Sequence, residues 1–284
     1  RIRAPAARAR RTKAAVMNDL SHAGAAIAPR DGKAVPFTVE RILAIQHRAP
    51  GLVAFDTTRP ADFRFTPGHY ARLGLGPDDD IVWRPYSIAS AVTEDRLSFR
   101  FTRVPGGAFN RHFERLRAGS PIRLDRRSFG FLTLGQVAPG GVLWLLATGT
   151  GAAPFLSILA DDATWKRHER VIFAHSVRTA AELAGADVDG AMSMRAAEDR
   201  ARLCLIPVVT RERVSGALGE RIGALLRSGA LESAAGRVID APGSRVMLCG
   251  NPEMIKDART WFRERGLEPV RRGVPGQLAT EGYW

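Results

Sequence analysis

A glycine-rich turn near the middle of the chain has the composition of an anion-binding site. The turn comprises Thr148, Gly149, Thr150 and Gly151. An apolar run at residues 142–147 precedes it, and Pro154 opens a helical pattern after it. Glycines let backbone N–H groups approach a phosphate closely, and the start of a helix adds partial positive charge. The turn therefore predicts a site for a dinucleotide diphosphate, although a plain glycine turn in some α/β protein has the same composition.

A second motif, formed by Arg84, Pro85, Tyr86 and Ser87, combines a cation, an aromatic ring and a hydroxyl in one predicted strand. Side chains two residues apart on a strand share a face, so Arg84 and Tyr86 would point the same way. The ring could then lie on a planar ligand while the guanidinium binds its phosphate. The alternative is an ordinary strand with an exposed arginine and a half-buried tyrosine.

The order of three motifs makes the pattern specific. They are Arg-Pro-Tyr-Ser at 84–87, Gly-Thr-Gly-Ala-Ala-Pro at 149–154 and Cys-Gly-Asn-Pro at 249–252. Supporting segments lie at 104–107, 130–132, 208–212 and 281–284. This arrangement resembles the bacterial branch of the ferredoxin/flavodoxin–NADP reductase family, and the resemblance covers residues 37–284.

The resemblance implies an FAD-dependent oxidoreductase, a flavoprotein that passes hydride from NADPH to FAD and single electrons to ferredoxin or flavodoxin. Two alternatives remain: the reductase component of an oxygenase system, and a basic flavin- or RNA-binding protein without turnover. Reductases of oxygenases commonly carry their own iron–sulfur cluster, which takes four thiolates, whereas this chain has two cysteines. The histidines show no spacing typical of metal ligands, so no metal site is expected.

The spacing of apolar residues changes at a predicted linker over residues 135–141. Before it, segments such as 37–42 and 97–104 alternate at the strand period, and one helix is predicted at 109–118. After it, the predicted strands are 142–148, 170–176, 203–209 and 245–249, and the predicted helices are 153–162, 180–200, 219–229 and 252–265. We expect a β + α/β protein, with an antiparallel β-barrel FAD domain followed by a parallel α/β NADP-binding domain. The expected boundaries are a basic, disordered segment at 1–33, the barrel at 34–135 and the NADP-binding domain at 141–284.

The resemblance also assigns roles on the flavin side. It implies that Arg84 binds the FAD diphosphate, that Tyr86 stacks on the isoalloxazine, and that Ser87 hydrogen-bonds near its reactive nitrogen. Pro85, between Arg84 and Tyr86, is also expected to contact the cofactor. Where relatives have serine or threonine at a helix start after Gly107, this chain has Asn110, which is a competent N-cap. The final Tyr283 and Trp284 would cover the isoalloxazine and the adenine, unless this tail docks on an ordinary core groove.

Further residues are implied on the nicotinamide side. They are Thr148, Gly149, Thr150, Gly151, Arg178, Thr210, Arg211, Arg221, Cys249 and Gly250. Arg211 and Arg221 would grip the 2′-phosphate, with a hydroxyl from Thr210, although each arginine could equally be a solvated surface residue. Cys249 would lie beside the nicotinamide, or be a small apolar residue at a strand end. Ser87, Cys249 and Tyr283 are thus the expected catalytic residues.

The chain is strongly basic, with a net charge of +13. Six cations and no acid fall in residues 1–16, which leaves +7 for the rest. The start fits either an organelle transit peptide or codons read upstream of a true start at Met17. Elsewhere the cations are scattered, which disfavours nucleic acid, whereas the acidic carriers of the family would be steered by a basic face. No apolar run approaches the roughly 20 residues that cross a bilayer, so no membrane insertion is expected. We also expect a cytoplasmic protein that acts as a monomer.

Overall fold

The computed structural model describes residues 35–185 and 187–282. The predictions for segment 1–33 and for Tyr283 and Trp284 therefore concern residues outside the described part of the chain. The described residues form two sheets, one of six antiparallel strands and one of five parallel strands. This arrangement confirms the fold class expected from the sequence.

The six-stranded sheet closes into a barrel. Its strands are β1 (Phe37–Ala49), β2 (Leu52–Thr58), β3 (Tyr70–Leu75), β4 (Val82–Ser87), β5 (Arg96–Thr102) and β6 (Pro121–Phe129). The strand order is β4-β3-β6-β1-β2-β5. Directly after β4, Ile88 forms an antiparallel bridge to Phe99 on β5, so the two outer strands meet. Closure removes the exposed edges on which another chain could pair.

An aromatic core fills this barrel. Phe55 on β2 contacts Phe99 and Phe101 on β5. Phe55 and Phe101 also contact Phe113 on helix α1 (Ala108–Phe113). The helix is shorter than the predicted 109–118. After it, i→i+3 hydrogen bonds tighten the chain, and the Gly119 N–H donates to the Ile42 carbonyl on β1. This contact directs the chain into β6.

The five-stranded sheet is entirely parallel. Its strands are β7 (Val142–Thr148), β8 (Arg170–Val177), β9 (Leu203–Val209), β10 (Ser244–Gly250) and β11 (Leu278–Gly282). The helices after β7 are α2 (Ala153–Ala160), α3 (Asp162–Arg167), α4 (Ala180–Ala184), α5 (Val188–Met192), α6 (Ala197–Ala201), α7 (Ile222–Ser228), α8 (Ala230–Ala235) and α9 (Pro252–Glu264). The strand order, β11-β10-β7-β8-β9, reverses between β7 and β10. Such a reversal opens a crevice at the carboxyl ends of the strands.

Both faces of the parallel sheet are buried. Trp144 and Leu146 pack in one apolar cluster, while Leu143 and Leu145, which point to the opposite face, pack in another. The second cluster also contains residues that precede the sheet in the chain, Leu132, Leu134 and Val137. The segment before and within the predicted linker therefore belongs to the core of the parallel-sheet domain.

The predicted helix at 180–200 is instead three short helices, α4 to α6. The chain turns at Gly185, where a Cβ would lie 2.7 Å from the Leu52 side chain of the barrel. Asp187 then adopts a left-handed conformation with φ of 56°. Its carboxylate contacts Arg48 and Arg100 on the barrel at 3.5 Å each. Contact with the barrel thus interrupts the helix.

Strand β11 is an addition to the predicted elements. Its residues pair in parallel with β10, and Leu278 lies opposite Val246. A segment of five residues that includes a glycine and a glutamate has weak strand propensity. No helix among the described residues is long and apolar enough to cross a membrane.

Candidate functional site

The crevice between β7 and β10 holds the glycine-rich turn. After β7, Gly149–Ala152 form a 3₁₀ turn that leads into α2. The Thr148 hydroxyl accepts a hydrogen bond at 2.7 Å from the backbone N–H of Asn251, which follows β10. The Asn251 side chain in turn caps α9 by accepting from the Glu253 N–H at 2.8 Å. The two strand ends are thus joined where a ligand would enter.

Three glycines of the crevice have different spatial constraints. Gly149 has φ of +53°, and a Cβ there would face open space. A Cβ on Gly250 would lie 2.1 Å from Thr148 Oγ1, and one on Gly151 would lie 2.4 Å from the Cys249 carbonyl oxygen. Gly250 and Gly151 therefore permit close packing of the turn on β10, while Gly149 leaves its backbone open toward the cavity.

His175 on β8 supports this turn from behind. Its Nε2 lies 2.9 Å from the Gly149 carbonyl oxygen. Burial is the main cause that lowers the pKa of the imidazole, which is therefore neutral and donates from Nε2. This hydrogen bond fixes the orientation of the Gly149 carbonyl.

A cavity of about 840 Å³ opens beside the crevice. Six of the predicted cofactor-binding residues line it: Thr148, Gly149, Arg178, Thr210, Arg211 and Arg221. Barrel residue Thr102 contributes to its wall, so the cavity extends to the domain boundary. Thr150 lines an adjoining narrow cavity. Gly151, Cys249 and Gly250 form the packed layer behind the turn.

The arginines of the cavity are not equivalent. Arg178 pairs with Glu182 at 2.8 Å, so its charge is already partly compensated. Arg211 and Arg221 have no ion pair with any described residue, which suits them to an incoming phosphate. Arg227 on α7 also lines the cavity and was missed by the sequence analysis, because it carries no motif signal.

Thr210 has a role different from the one expected. Its hydroxyl donates to the Val177 carbonyl at 3.0 Å. A phosphate oxygen accepts hydrogen bonds, and a hydroxyl has only one proton to donate. Thr210 therefore joins the ends of β8 and β9 and cannot also donate to a phosphate while this bond persists.

On the barrel, the predicted flavin-side motif forms β4. The Tyr86 ring packs against Phe101 and Phe109 at centroid distances of 5.6 and 5.0 Å. Arg84 donates to the Trp83 carbonyl at 2.9 Å and makes no ion pair with a described residue. The Ser87 hydroxyl is buried without a hydrogen-bond partner among the described residues. Pro85 between them is exposed.

Asn110 does not cap α1. The N-cap residue is Gly107, and Asn110 lies in the first turn, where its amide donates to the Val104 carbonyl at 2.7 Å. The helix begins one residue earlier than predicted, because the turn at 104–107 closes through a Gly107 N–H to Val104 carbonyl bond. The expected capping role of Asn110 is therefore wrong. The bond to Val104 uses one of the two N–H groups of the Asn110 amide.

Two residues at the domain boundary were assigned no role from the sequence. Glu281 on β11 lies directly opposite Cys249 on β10. Its Oε2 is 3.6 Å from the position of a Cβ on Gly130, just after β6 of the barrel. Burial raises the pKa of Glu281 to about 7. Tyr70, opposite Ser87 on β3, has a pKa raised first by burial and then by the Glu281 charge.

Comparison with known proteins identifies the family of the chain. A family model described as an oxidoreductase NAD-binding domain matches residues 145–260. Ferredoxin–NADP reductase A from Sorangium cellulosum (strain So ce56) is 37% identical over 255 residues, covering 86% of this chain and 89% of the relative. The flavodoxin/ferredoxin–NADP reductase of Escherichia coli (strain K12) is 33% identical over 247 residues, covering 86% and 97%. The chain belongs to the ferredoxin/flavodoxin–NADP reductase family.

A solved structure of the ferredoxin/flavodoxin–NADP reductase family has the same fold. The crystal structure of a ferredoxin NADP⁺ reductase from Neisseria gonorrhoeae, with bound FAD and NADP, superposes with a TM-score of 0.81 at 34% identity. The match covers 89% of this chain and 100% of that chain. Family, fold and an oxidoreductase function are therefore confirmed.

Proposed function

We propose that this protein uses FAD to pass electrons from NADPH to ferredoxin or flavodoxin. One observation carries the proposal: the dinucleotide crevice of the parallel sheet adjoins the barrel, since barrel residue Thr102 lines the same cavity as Thr148 and Gly149. Relatives named for this activity are 33–37% identical over most of the chain. FAD, when bound, supplies the chemistry by accepting two electrons from NADPH and releasing them one at a time.

The barrel residues fit a flavin dinucleotide. Arg84 has no ion pair in the described part of the chain and is free to bind a diphosphate. The buried Ser87 hydroxyl needs a partner, because an unsatisfied buried hydroxyl costs about 1–3 kcal/mol. Tyr86 is held by Phe101 and Phe109, which fix the plane of its ring. We assign Arg84 to the diphosphate, Tyr86 to stacking on the ring system, and Ser87 to its reactive edge, with Pro85 as a further cofactor contact. Gly107 and Asn110 would border this site.

The parallel-sheet residues fit NADP. Gly149 presents open backbone to the cavity, and Thr148 holds that turn against β10. Arg211 and Arg221 supply charge for the 2′-phosphate, which distinguishes NADP from NAD. Arg178 would join them by exchanging its bond to Glu182 for one to the ligand. Thr150, Gly151 and Gly250 shape the turn.

Positioning two rings in contact is the main task of the remaining residues. Cys249 is the last residue but one of the buried strand β10 beside the crevice, and Glu281 lies opposite it. We propose that Ser87 and Cys249 border the place where the nicotinamide approaches the flavin and exclude water from it. Tyr283 would cover the isoalloxazine and Trp284 the adenine. Because Leu132 and Leu134 pack in the core of the parallel sheet, we propose 34–131 instead of 34–135 as the FAD-binding domain. The NADP-binding domain then extends from 132 to 284, and the basic segment 1–33 precedes both.

An acidic carrier protein fits the charge of the chain. Residues 17–284 carry a net charge of +7, so a negatively charged ferredoxin or flavodoxin would be attracted over long distances. We further propose that the protein acts as a cytoplasmic monomer and does not bind nucleic acid.

The test compares two matched serine variants. The purified protein should show the visible absorbance of oxidised flavin, which NADPH should bleach and NADH should bleach poorly. Ser87→Ala should slow this bleaching in single-turnover measurements. Ser157→Ala removes an equally buried, unpartnered hydroxyl from α2 and should leave the rate unchanged. A colourless protein that retains no flavin, or equal slowing in both variants, would contradict the proposal.

A further inference from the structure

Arg100 is a buried cation at the boundary between the two domains. It lies on β5 of the barrel, and only 11% of its side chain is exposed. Burial is the main cause that lowers the pKa of its guanidinium. A buried charge is costly unless several hydrogen bonds or ion pairs compensate it.

The compensation of Arg100 within the described residues is incomplete. Its ion pair with Asp187 is long, at 3.5 Å, and Arg48 shares the same carboxylate oxygen at 3.5 Å. This carboxylate therefore faces two guanidinium groups, while Asp56 and Glu94 act on Arg100 only at longer range, without an ion pair to it. The Arg100 Nε has no hydrogen-bond partner in residues 35–185 and 187–282. This geometry leaves positive charge available for an additional anion.

The position of Arg100 indicates which anion. Arg100 lines a narrow cavity of about 20 Å³, together with Gly149 and Thr150 of the glycine-rich turn. This narrow cavity shares Thr102, Gly149 and Arg178 with the cavity of about 840 Å³, so the two adjoin. Its small volume admits one or two ligand atoms. Arg100 and the Gly149 turn therefore face the same narrow space.

We propose that Arg100 binds the diphosphate of NADP(H), so that the barrel domain itself contributes a cation to the dinucleotide site. The inference rests on the proposed function and adds a residue to it. Arg211 and Arg221 would recognise the 2′-phosphate at one end of the cavity, whereas Arg100 would hold the diphosphate at the domain boundary. NADP(H) bound in this way bridges the two domains.

The test measures the Kd of two ligands for the FAD-loaded protein by titration calorimetry. NADP⁺ contains the diphosphate, and adenosine 2′-monophosphate lacks it while keeping the 2′-phosphate. Arg100→Met should raise the Kd for NADP⁺ by about tenfold, which corresponds to the lower end of the range for a charge-assisted hydrogen bond. The Kd for adenosine 2′-monophosphate should not change. Arg100→Lys should recover part of the loss. Arg48→Met is the matched control, because Arg48 shares Asp187 but does not line either cavity.

The outcomes separate this inference from the proposed function. Unchanged NADP⁺ affinity in Arg100→Met overturns the inference alone. The inference is also overturned if Arg48→Met raises the Kd for NADP⁺ as much as Arg100→Met does, because that result would indicate a role in domain contact only. It is overturned as well if Arg100→Met raises the Kd of both ligands together. Wild-type protein that fails to bind NADP⁺ would overturn the proposed function as well. Retained FAD and an unchanged Tm check folding, and Arg100→Lys provides the measurement if Arg100→Met fails to fold.

Discussion

Cys249 and Glu281 lie directly opposite each other on the parallel strands β10 and β11, at the end of the sheet that meets the barrel. Glu281 Oε1 is buried without a hydrogen-bond partner among the described residues. This oxygen is therefore shielded from water but not compensated, and burial raises the pKa of Glu281 to about 7. A carboxyl group in this state gains or loses its proton near neutral pH.

Protonation of Glu281 should make stability depend on pH. The folded pKa, about 7, exceeds the usual value of 4.5, so folding favours the protonated form. The contribution of Glu281 to the free energy of unfolding is complete below about pH 4.5 and is lost as the pH rises through 7. Glu281→Gln should therefore gain stability relative to wild type between pH 5 and 8, by about 2–3 kcal/mol. Thermal unfolding of the FAD-loaded proteins across this range would measure it. The exposed Glu264→Gln is the control, and a constant difference for Glu281→Gln would contradict the prediction.

Replacement of Arg211 and Arg221 should reduce discrimination between the two nicotinamide cofactors. Replacing both arginines with glutamine should make the binding free energy of NADPH less favourable by about 2–4 kcal/mol, because two charge-assisted hydrogen bonds to the 2′-phosphate are lost. NADH has no such phosphate and should change little. Arg213→Gln alters the same loop outside the cavity and serves as control. The measurement is the ratio of kcat/KM for NADPH and NADH, and an unchanged ratio would mean that neither arginine contacts the 2′-phosphate.

Gly149→Ala should reduce binding of NADP⁺ more than it reduces stability. The substitution strains a left-handed backbone by about 1 kcal/mol and places a methyl group where the cavity is open. Gly236→Ala introduces similar strain at φ of +60°, also with open space around the Cβ, but at the end of α8. Both variants should lose similar Tm. Only Gly149→Ala should raise the Kd for NADP⁺. The same Kd in the Gly149→Ala and Gly236→Ala variants would show that Gly149 does not face the ligand.

Salt should slow electron delivery to an acidic carrier. Exposed charges more than about 10 Å apart are largely screened at 0.1 M ionic strength, so long-range attraction weakens. Reduction of ferredoxin or flavodoxin should therefore slow severalfold between low and physiological salt. Reduction of the flavin by NADPH, followed by stopped-flow absorbance, should respond less. A carrier rate that does not depend on salt would argue against an acidic partner.

The local motifs were predictable because their chemistry depends on adjacent residues. The turn at Thr148 and Gly149, and the strand that carries Arg84 and Tyr86, can be recognised from a few consecutive side chains, and the structure places both turn residues in the cavity wall. The parallel sheet was predictable from apolar runs separated by helical spacing. These features require no knowledge of distant contacts.

The missed features depend on contacts between distant parts of the chain. The position of Glu281 at the domain boundary could not be predicted, because it depends on the pairing of β11 with β10 and its own segment has weak strand propensity. The break near Asp187 arises from two arginines on the barrel, far away in sequence. The position of Asn110 depended on where a turn closed, and helix ends are the least predictable part of an element.

The burial of Leu132, Leu134 and Val137 against the parallel sheet determines where two relatives could be recombined. A chimera joined within residues 135–141 would pair the Leu132 and Leu134 of one parent with the Leu143 and Phe155 of the other. Side chains that are too large for such a core typically lower the stability of the fold by about 1–3 kcal/mol, and side chains that leave a cavity lower it by more. Grafting a barrel from another reductase is therefore best done with the junction before Leu132, so that the donor sequence ends at the strand β6 and its following glycine.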